Sequence, residues 1–400
     1  MADVGIVMPV YRQRRAHLQA ALASVLQQSY ADFQLVIVLD GTPEKERRIV
    51  MEGVRGDRRA HIVSLPGNSG VANALNVGFK RLRVRQDIQY YTWVSGDNVY
   101  YPHFVARLRQ NLEKGPDSLG LVYSCYRPIN DHGRSLLSDM HVANHVKLQD
   151  QPKGNLLDSC FIGASFMYKR EYADKLEGYW AQPVEDYEFW LRLTEICDIQ
   201  YIPEFLMDYR VASKHSLSKQ LHESPARHRQ WRYMFHSVKH AARRRRGILY
   251  ETTVIFPLAD ASLDLESDYE FLLEQSYSNF RIILVDTSET SDVSKRLLAI
   301  PDPRVECALL PKASIADAIR VGLRDADTPY TLVYGSPLVH PLSRLHVLAQ
   351  ALRNAPGQTA AVSCDGSARQ LISSRDILPP EDWHYNELCR THILRRCFDA

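Results

Sequence analysis

The stretch Tyr-Thr-Trp-Val-Ser-Gly-Asp-Asn-Val-Tyr-Tyr-Pro, residues 91–102, carries the plainest chemistry in the chain. Its apolar part stops abruptly at Ser95, Gly96, Asp97 and Asn98. An apolar, β-prone run that closes on an acidic turn sets a carboxylate at the carboxyl edge of an α/β sheet, where open sheets bind their ligands. One carboxylate on a turn, backed by side-chain oxygens, suits a hard divalent cation that a substrate's phosphates also hold. A second acidic pair, Glu185 and Asp186, opens a stretch that reads as an amphipathic helix to Cys197, with Phe189, Trp190 and Leu193 inward. A carboxylate there can take a proton from a hydroxyl. It can also simply charge the first turn of the helix.

These groups need a scaffold. Residues 4–10, 35–39, 61–65 and 91–94 read as strands, and 17–28, 71–82 and 101–112 as helices with apolar residues on one face. Further strands are expected at 119–124, 161–168 and 199–202. Strands alternating with helices predict an α/β fold with a mainly parallel sheet covered on both faces. Asp40 and Gly41 end the second strand, and Asn68, Ser69 and Gly70 follow the third. Asp40 suits a hydrogen bond to a ligand or a cap on the helix expected to start near Pro43. Tyr179 and Trp180, in a loop bounded by Gly178 and Pro183, offer rings on which a sugar could stack; Trp190 reads as core.

Composition narrows the class. Four hundred residues, 45% hydrophobic and 24% charged with a formal net charge of +2, describe a globular protein of two or three domains. No run approaches the roughly 20 apolar residues of a membrane span. The first residues enter a strand-like run with no signal-peptide layout. The seven cysteines are scattered without CxxC spacing, which argues against a disulfide frame and a zinc site. A cytoplasmic location follows as an expectation, with contact at the inner face of a membrane kept open.

Residues 214–247 differ. They hold ten Lys or Arg, five His and one acidic residue, Glu223, and close on four arginines at 243–246. They are expected to form a helical linker, either merely solvated or a surface for an acidic polymer or anionic membrane. Nucleic acid is not expected, since no nucleic-acid module accompanies the run.

Beyond it the chain repeats itself. Ile6-Val7-Met8-Pro9 has an echo in Val254-Ile255-Phe256-Pro257, and Gln28-Ser29-Tyr30 in Gln275-Ser276-Tyr277. Tyr91-Thr92-Trp93-Val94 is echoed by Tyr330-Thr331-Leu332-Val333. Order is kept, as in a domain duplicated with a long period. Asp97-Asn98 becomes Ser336-Pro337, and Asp40 falls opposite Thr287. Three parts are therefore expected: residues 1–213, a basic linker at 214–247, and a truncated, degenerate copy at 248–400. The copy is expected to serve interaction, through a homodimer or by packing over the first site.

Taken in order, several pieces of the first 215 residues resemble the family 2 glycosyltransferases of the GT-A fold, in particular their bacterial spore-coat polysaccharide branch. They are Val7-Met8-Pro9-Val10-Tyr11, Leu39-Asp40-Gly41, the run from Asn68 to Gly78, Ser95-Gly96-Asp97-Asn98, Glu185-Asp186-Tyr187 and Tyr209-Arg210-Val211. The resemblance implies a Rossmann-like, nucleotide-diphospho-sugar transferase domain. It would move a sugar with inversion from a UDP- or dTDP-sugar to a hydroxyl acceptor, with Mn²⁺ or Mg²⁺, in cell-surface or spore-coat polysaccharide synthesis. It implies that Pro9, Val10 and Tyr11 lie against the base and Asp40 bonds its edge. Asn73, Asn76, Ser95 and Gly96 would lie along the donor, Asp97 would bind metal, and Asp186 would be the base with Glu185 beside it. Two departures stand out: the family usually has another Asp near Gly96, and often a His where this chain has Ala212, a place His215 could fill. These departures leave a second reading, a nucleotide- or glycan-binding assembly protein with little or no activity.

Overall fold

The computed structural model describes residues 2–211, 221, 224–258, 265–335, 341–357, 359–363 and 386–399. The chain divides into two compact units, Met1–Met234 and Phe235–Ala400.

The first unit runs β1 (Val4–Val10), α1 (Arg15–Leu26), β2 (Phe33–Asp40), α2 (Glu44–Gly53), β3 (Ala60–Leu65), α3 (Val71–Arg83), β4 (Tyr90–Trp93), β5 (Val99–Tyr100) and α4 (Phe104–Lys114). It continues with β6 (Leu119–Ile129), α5 (Asp139–Gln149), β7 (Phe166–Lys169), α6 (Arg170–Ala173), α7 (Glu185–Ile196) and β8 (Asp198–Arg210). Helix α8 (Pro225–Arg245) crosses the division between the units. The eight strands form one sheet in the order β3-β2-β1-β4-β7-β6-β8-β5. Every residue of β2 is buried, as both-faces coverage of a parallel sheet requires. Leu18, Ala21, Leu22 and Val25 of α1 join Ile6, Met8, Leu35 and Ile37 in its core.

Register sets where the strands end. β1 pairs β2 in parallel up to Val10 against Leu39. β1 pairs β4 up to Val7 against Trp93, and the Val94 amide bonds the Val7 carbonyl at 2.9 Å. Tyr11, Asp40 and Ser95 thus leave the sheet at one carboxyl edge. Expected and observed elements differ most where pairing is remote in sequence. β8 runs 13 residues where four were expected, because it pairs with β6 along nearly its whole length. β7 starts at Phe166, five residues later than its apolar run suggests.

The second unit holds β9 (Thr252–Leu258), α9 (Leu265–Leu273), β10 (Phe280–Asp286), α10 (Asp292–Leu298), β11 (Val305–Leu309), α11 (Ile315–Asp325) and β12 (Tyr330–Val333). It closes with α12 (Arg344–Asn354), β13 (Ala361–Val362), β14 (Leu388–Arg390) and α13 (Thr391–Asp399). Its sheet order is β11-β10-β9-β12-β14-β13, which repeats β3-β2-β1-β4 in its first four places.

The repetition extends to single bonds. Arg59 donates to the Leu26 carbonyl and to Asp57, and its guanidinium lies over Phe33; Arg304 does the same with Leu273, Asp302 and Phe280. Tyr30 donates to Asp3 and Tyr277 to Glu251, each carboxylate being held by an arginine, Arg109 or Arg353. Ser29 bonds the Pro102 carbonyl as Ser276 bonds that of Leu342. One correspondence read from sequence is off by a residue. Val4 pairs Tyr90 and Thr252 pairs Tyr330, so Tyr330 is the counterpart of Tyr90, not of Tyr91. A one-residue slip exchanges sheet faces, and Tyr330 packs with Val254 and Phe256, on the face where Tyr90 meets the core of Ile6 and Met8. Thr287 does fall opposite Asp40, since Phe33 and Phe280 hold equivalent registers. Ser336 and Pro337, set opposite Asp97 and Asn98 in the sequence comparison, lie outside the described residues.

Candidate active site

Three clusters form at the carboxyl edge and beside it. The first centres on Asp40, which is 3% exposed. Its carboxylate accepts from the Ser69 amide and hydroxyl at 2.8 Å and from the Gly70 amide at 3.0 Å. It does not cap α2, whose cap position is Pro43 with no side-chain bond. Instead it pins the turn before α3. Asn73, exposed in the first turn of α3, donates to the Ser69 hydroxyl at 2.8 Å. Gly41 has φ +62°, and a Cβ there would lie 2.3 Å from the Asn68 nitrogen, so the two loops touch backbone to backbone. Pro9 and Val10 close β1, and Tyr11 stands 38% exposed beyond it with the Arg12 guanidinium over its ring.

The second cluster is the acidic turn. Gly96, Asp97 and Asn98 are buried, and the Ser95 amide donates to the Tyr100 hydroxyl at 2.8 Å. Arg210, the last residue of β8, clasps this turn. Its amide donates to Asn98 Oδ1 at 2.9 Å, its Nε to the Asp97 carbonyl at 3.0 Å and one terminal nitrogen to the Asn130 carbonyl at 2.7 Å. Nearby, His17 meets the Asp131 carbonyl at 3.1 Å and Arg14 pairs with the Asp131 carboxylate. Burial, then the Arg210 charge, hold the His17 pKa below its usual value.

Among the described residues no three His, Cys, Asp or Glu side chains gather as a metal cage. Asp97 therefore offers a cation a single protein carboxylate. That donor set fits an ion such as Mg²⁺ or Mn²⁺ that keeps waters and shares a substrate's phosphates, and does not fit an all-protein site. His215 lies outside the described residues.

The third cluster begins α7. Glu185 is 7% exposed, and its Oε2 is sealed from solvent without a partner. Asp186 accepts from the Tyr187 amide at 2.7 Å. A helix N-terminus favours anions, yet burial wins here. Burial, then the Asp186 charge, push the Glu185 carboxyl up to about 8, and burial raises Asp186 as well. The two titrate as a pair.

The loop before α7 ties this cluster to the first. Asn76 of α3 donates to the Tyr179 carbonyl and accepts from the Tyr179 amide, both at 2.8 Å. Asn76 is thus committed to the main chain of the loop. Arg192, bidentate to the buried Glu188, also holds the Gly178 carbonyl. At the far end, Gln182 abuts Gly70 so closely that a Cβ on Gly70 would lie 2.1 Å from Gln182 Oε1. The expected aromatic platform is half present. Tyr179 is buried, stacked on Phe189 with ring centroids 4.3 Å apart, because the loop turns its ring into the core of Phe79 and Tyr168. Trp180 is 47% exposed, and Trp190 is fully buried as its spacing indicated.

Sequence reasoning gave no role to Gln182, Asn130, Asp131 or His17, and gave none to the side chain of Arg210. An arginine ending an apolar strand was the available signal. Its partners are backbone carbonyls, which no sequence pattern marks.

The profile of glycosyl transferase family 2 matches residues 5–177. A glycosyltransferase of Rickettsia felis is 21% identical over 370 residues, 82% of this chain and 60% of that protein. The O-antigen biosynthesis glycosyltransferase WbnJ of Escherichia coli is 26% identical over 217 residues, 53% of this chain and 80% of that protein. Among solved structures, S. aureus TarS 1–349 in complex with UDP-GlcNAc is similar at a TM-score of 0.45 and 13% identity, over 59% of this chain and 66% of that one. The chain spans about 60% of the length of the first curated relatives it matches. Residues 5–177 belong to glycosyl transferase family 2, in an α/β chain that carries a second sheet-containing region.

Proposed function

We propose that this protein transfers a sugar, with inversion, from a nucleoside diphosphate donor to a hydroxyl of a glycan acceptor in cell-surface polysaccharide synthesis. The observation that carries the reading is the acidic pair at the start of α7, Glu185 buried and Asp186 half-buried, tied through Gln182 and Asn76 to the Asp40 loop. Asp186 takes the proton from the attacking hydroxyl, which typically contributes 10²–10⁴-fold. Glu185, held mostly neutral, keeps a second negative charge away from that base. Asp97 holds Mn²⁺ or Mg²⁺, which when bound stabilises negative charge on the departing diphosphate. Pro9, Val10, Tyr11 and Asp40 bound the pocket for the base of a UDP- or dTDP-sugar, and Asn73 lies along the donor. Asn76 serves by holding the loop. A hydrolase of glycosides would need two facing carboxylates, one acting as acid.

The units meet this reading differently. In the second unit the position of Asp40 is Thr287, and the N-terminus of α11 is closed on itself by the capping box of Ser314 and Asp317. We assign that unit, as a degenerate copy, to interaction, with a homodimer as its simplest form. Residues 214–247 serve as a basic connector able to meet an anionic membrane or polymer. No helix among the described residues is long and apolar enough to cross a membrane.

The test is release of nucleoside diphosphate from UDP-, dTDP- and GDP-sugars with Mn²⁺, by wild type and by Asp186→Asn. Turnover lost in the variant by at least about a hundredfold, with donor binding kept, supports the assignment. Nucleotide binding without turnover in wild type favours the assembly-protein reading, which the single carboxylate at Asp97 supports.

A further inference from the structure

Among the described residues, Arg210 is a buried cation without a counter-ion. It is 6% exposed. Its three hydrogen bonds end on neutral oxygens: the Asn98 side chain, the Asp97 carbonyl and the Asn130 carbonyl. Among the described residues no carboxylate pairs with it. Its remaining terminal nitrogen, Nη2, makes no hydrogen bond among the described residues. Half-buried arginines of the first unit are paired with carboxylates: Arg192 with Glu188, Arg109 with Asp3, Arg59 with Asp57. Burying a guanidinium without an anion is unfavourable, and the cost is recovered when an anion arrives. A guanidinium already aimed by two carbonyls is also preorganised, so little entropy is lost when its free corner binds.

We infer that Arg210 is an anion-binding residue of the active site, with the diphosphate of the nucleotide donor as its ligand. This rests on the glycosyl-transfer reading, which brings a diphosphate to the Asp97 turn. It also complements the single carboxylate of the acidic turn. Where a second carboxylate would hold more metal charge, this chain supplies fixed positive charge from the protein. Charge-assisted bonds from arginine to phosphate are among the strong ones.

The experiment is calorimetric titration of UDP, GDP and dTDP, each beside its own nucleoside, with Mn²⁺ present, on wild type, Arg210→Gln and Arg210→Lys. Wild type should bind one diphosphate far more tightly than its nucleoside. Arg210→Gln should lose that preference by about 10- to 100-fold while nucleoside affinity stays within about twofold. Arg210→Lys, which keeps the charge without the fork, should fall between. An undiminished preference in Arg210→Gln, or an equal loss for nucleoside and diphosphate, overturns the assignment and leaves the glycosyl-transfer reading standing. Binding of none of the three nucleotides to wild type overturns both. Should Arg210→Gln not fold, inorganic pyrophosphate decides: it should raise the melting temperature of wild type more than that of Arg210→Lys, and equal stabilisation overturns the assignment.

Discussion

Asn76 holds Tyr179 at both ends of one peptide residue: its amide nitrogen donates to the Tyr179 carbonyl and its amide oxygen accepts from the Tyr179 nitrogen, each at 2.8 Å. A helix facing the sheet thereby dictates the path of the loop that delivers Glu185 and Asp186. Asn76→Ala leaves two main-chain groups of that loop unpaired, which should cost about 1–3 kcal/mol for each that stays buried. Asn76→Asp keeps the acceptor but turns a carboxylate oxygen on the Tyr179 carbonyl, and should lose at least as much. Thermal denaturation of both variants beside wild type checks the order. A role in donor contact alone would leave stability unchanged.

Gly70 and Gln182 form a second tie between the same loops. Gly70 has φ +91°, and any Cβ there meets Gln182. Gly70→Ala should destabilise by more than about 1 kcal/mol, chiefly because the backbone opposes it, with the Gln182 side chain having to shift as well. Gln182→Ala should relieve the contact but not the backbone. The double variant is then less destabilised than the sum of the singles, with a coupling of about 0.5–3 kcal/mol. Strict additivity in a double-mutant cycle would show that the two loops are not in contact in solution.

Glu185 gives stability a pH dependence. Its folded pKa, raised to about 8, lies above the usual carboxylate range. The folded state then keeps a proton that the unfolded chain releases, so this group's contribution falls as pH rises from the carboxylate range towards 8 and levels off beyond. Glu185→Gln removes that slope. The variant should melt a few degrees above wild type at pH 8.5 and level with it at pH 4.5. Parallel melting curves across that range would place the raised carboxyl elsewhere.

Gly96 has room for the first side-chain atom of the aspartate that the family resemblance leads one to expect. A Cβ there comes no closer than 3.4 Å, to Gln13 and Leu18, and its φ is not left-handed. Gly96→Asp should fold and should tighten Mn²⁺ binding by on the order of tenfold, the effect of added ligand charge. Titration of Mn²⁺ monitored by electron paramagnetic resonance checks it. Unchanged affinity in a folded variant would mean that position 96 does not face the cation.

How much of this was legible in the sequence depended on range. The parallel strands 4–10 and 35–39 declared themselves by unbroken apolar runs, because burial on both faces leaves no polar positions. The turns at Asp40 and Asp97 were visible as polar stops on those runs. Their partners were not. Asp40 meets Ser69 some 29 positions away and Arg210 meets Asp97 across 113, and such pairings leave no local period. Tyr179 was read as a sugar platform because its loop looked exposed; the Asn76 clamp and the stack on Phe189 turn its ring inward, which only tertiary contact reveals. The one-residue error at Tyr330 arose because matching letters outweighed face alternation, whereas packing obeys the face.

The arginine locks shared by the two units bear on history. Arg59 with Asp57 and Arg304 with Asp302 are the same fastening made twice, while the carboxylate at Asp40 has become Thr287. Mutation struck both halves alike, so what survives records what was still being inspected. On the proposed reading of the second half as a degenerate copy, foldedness outlasted catalysis there. On that reading the half is retained for its surface, and variation among close relatives should be slowest on whichever face of it does that work.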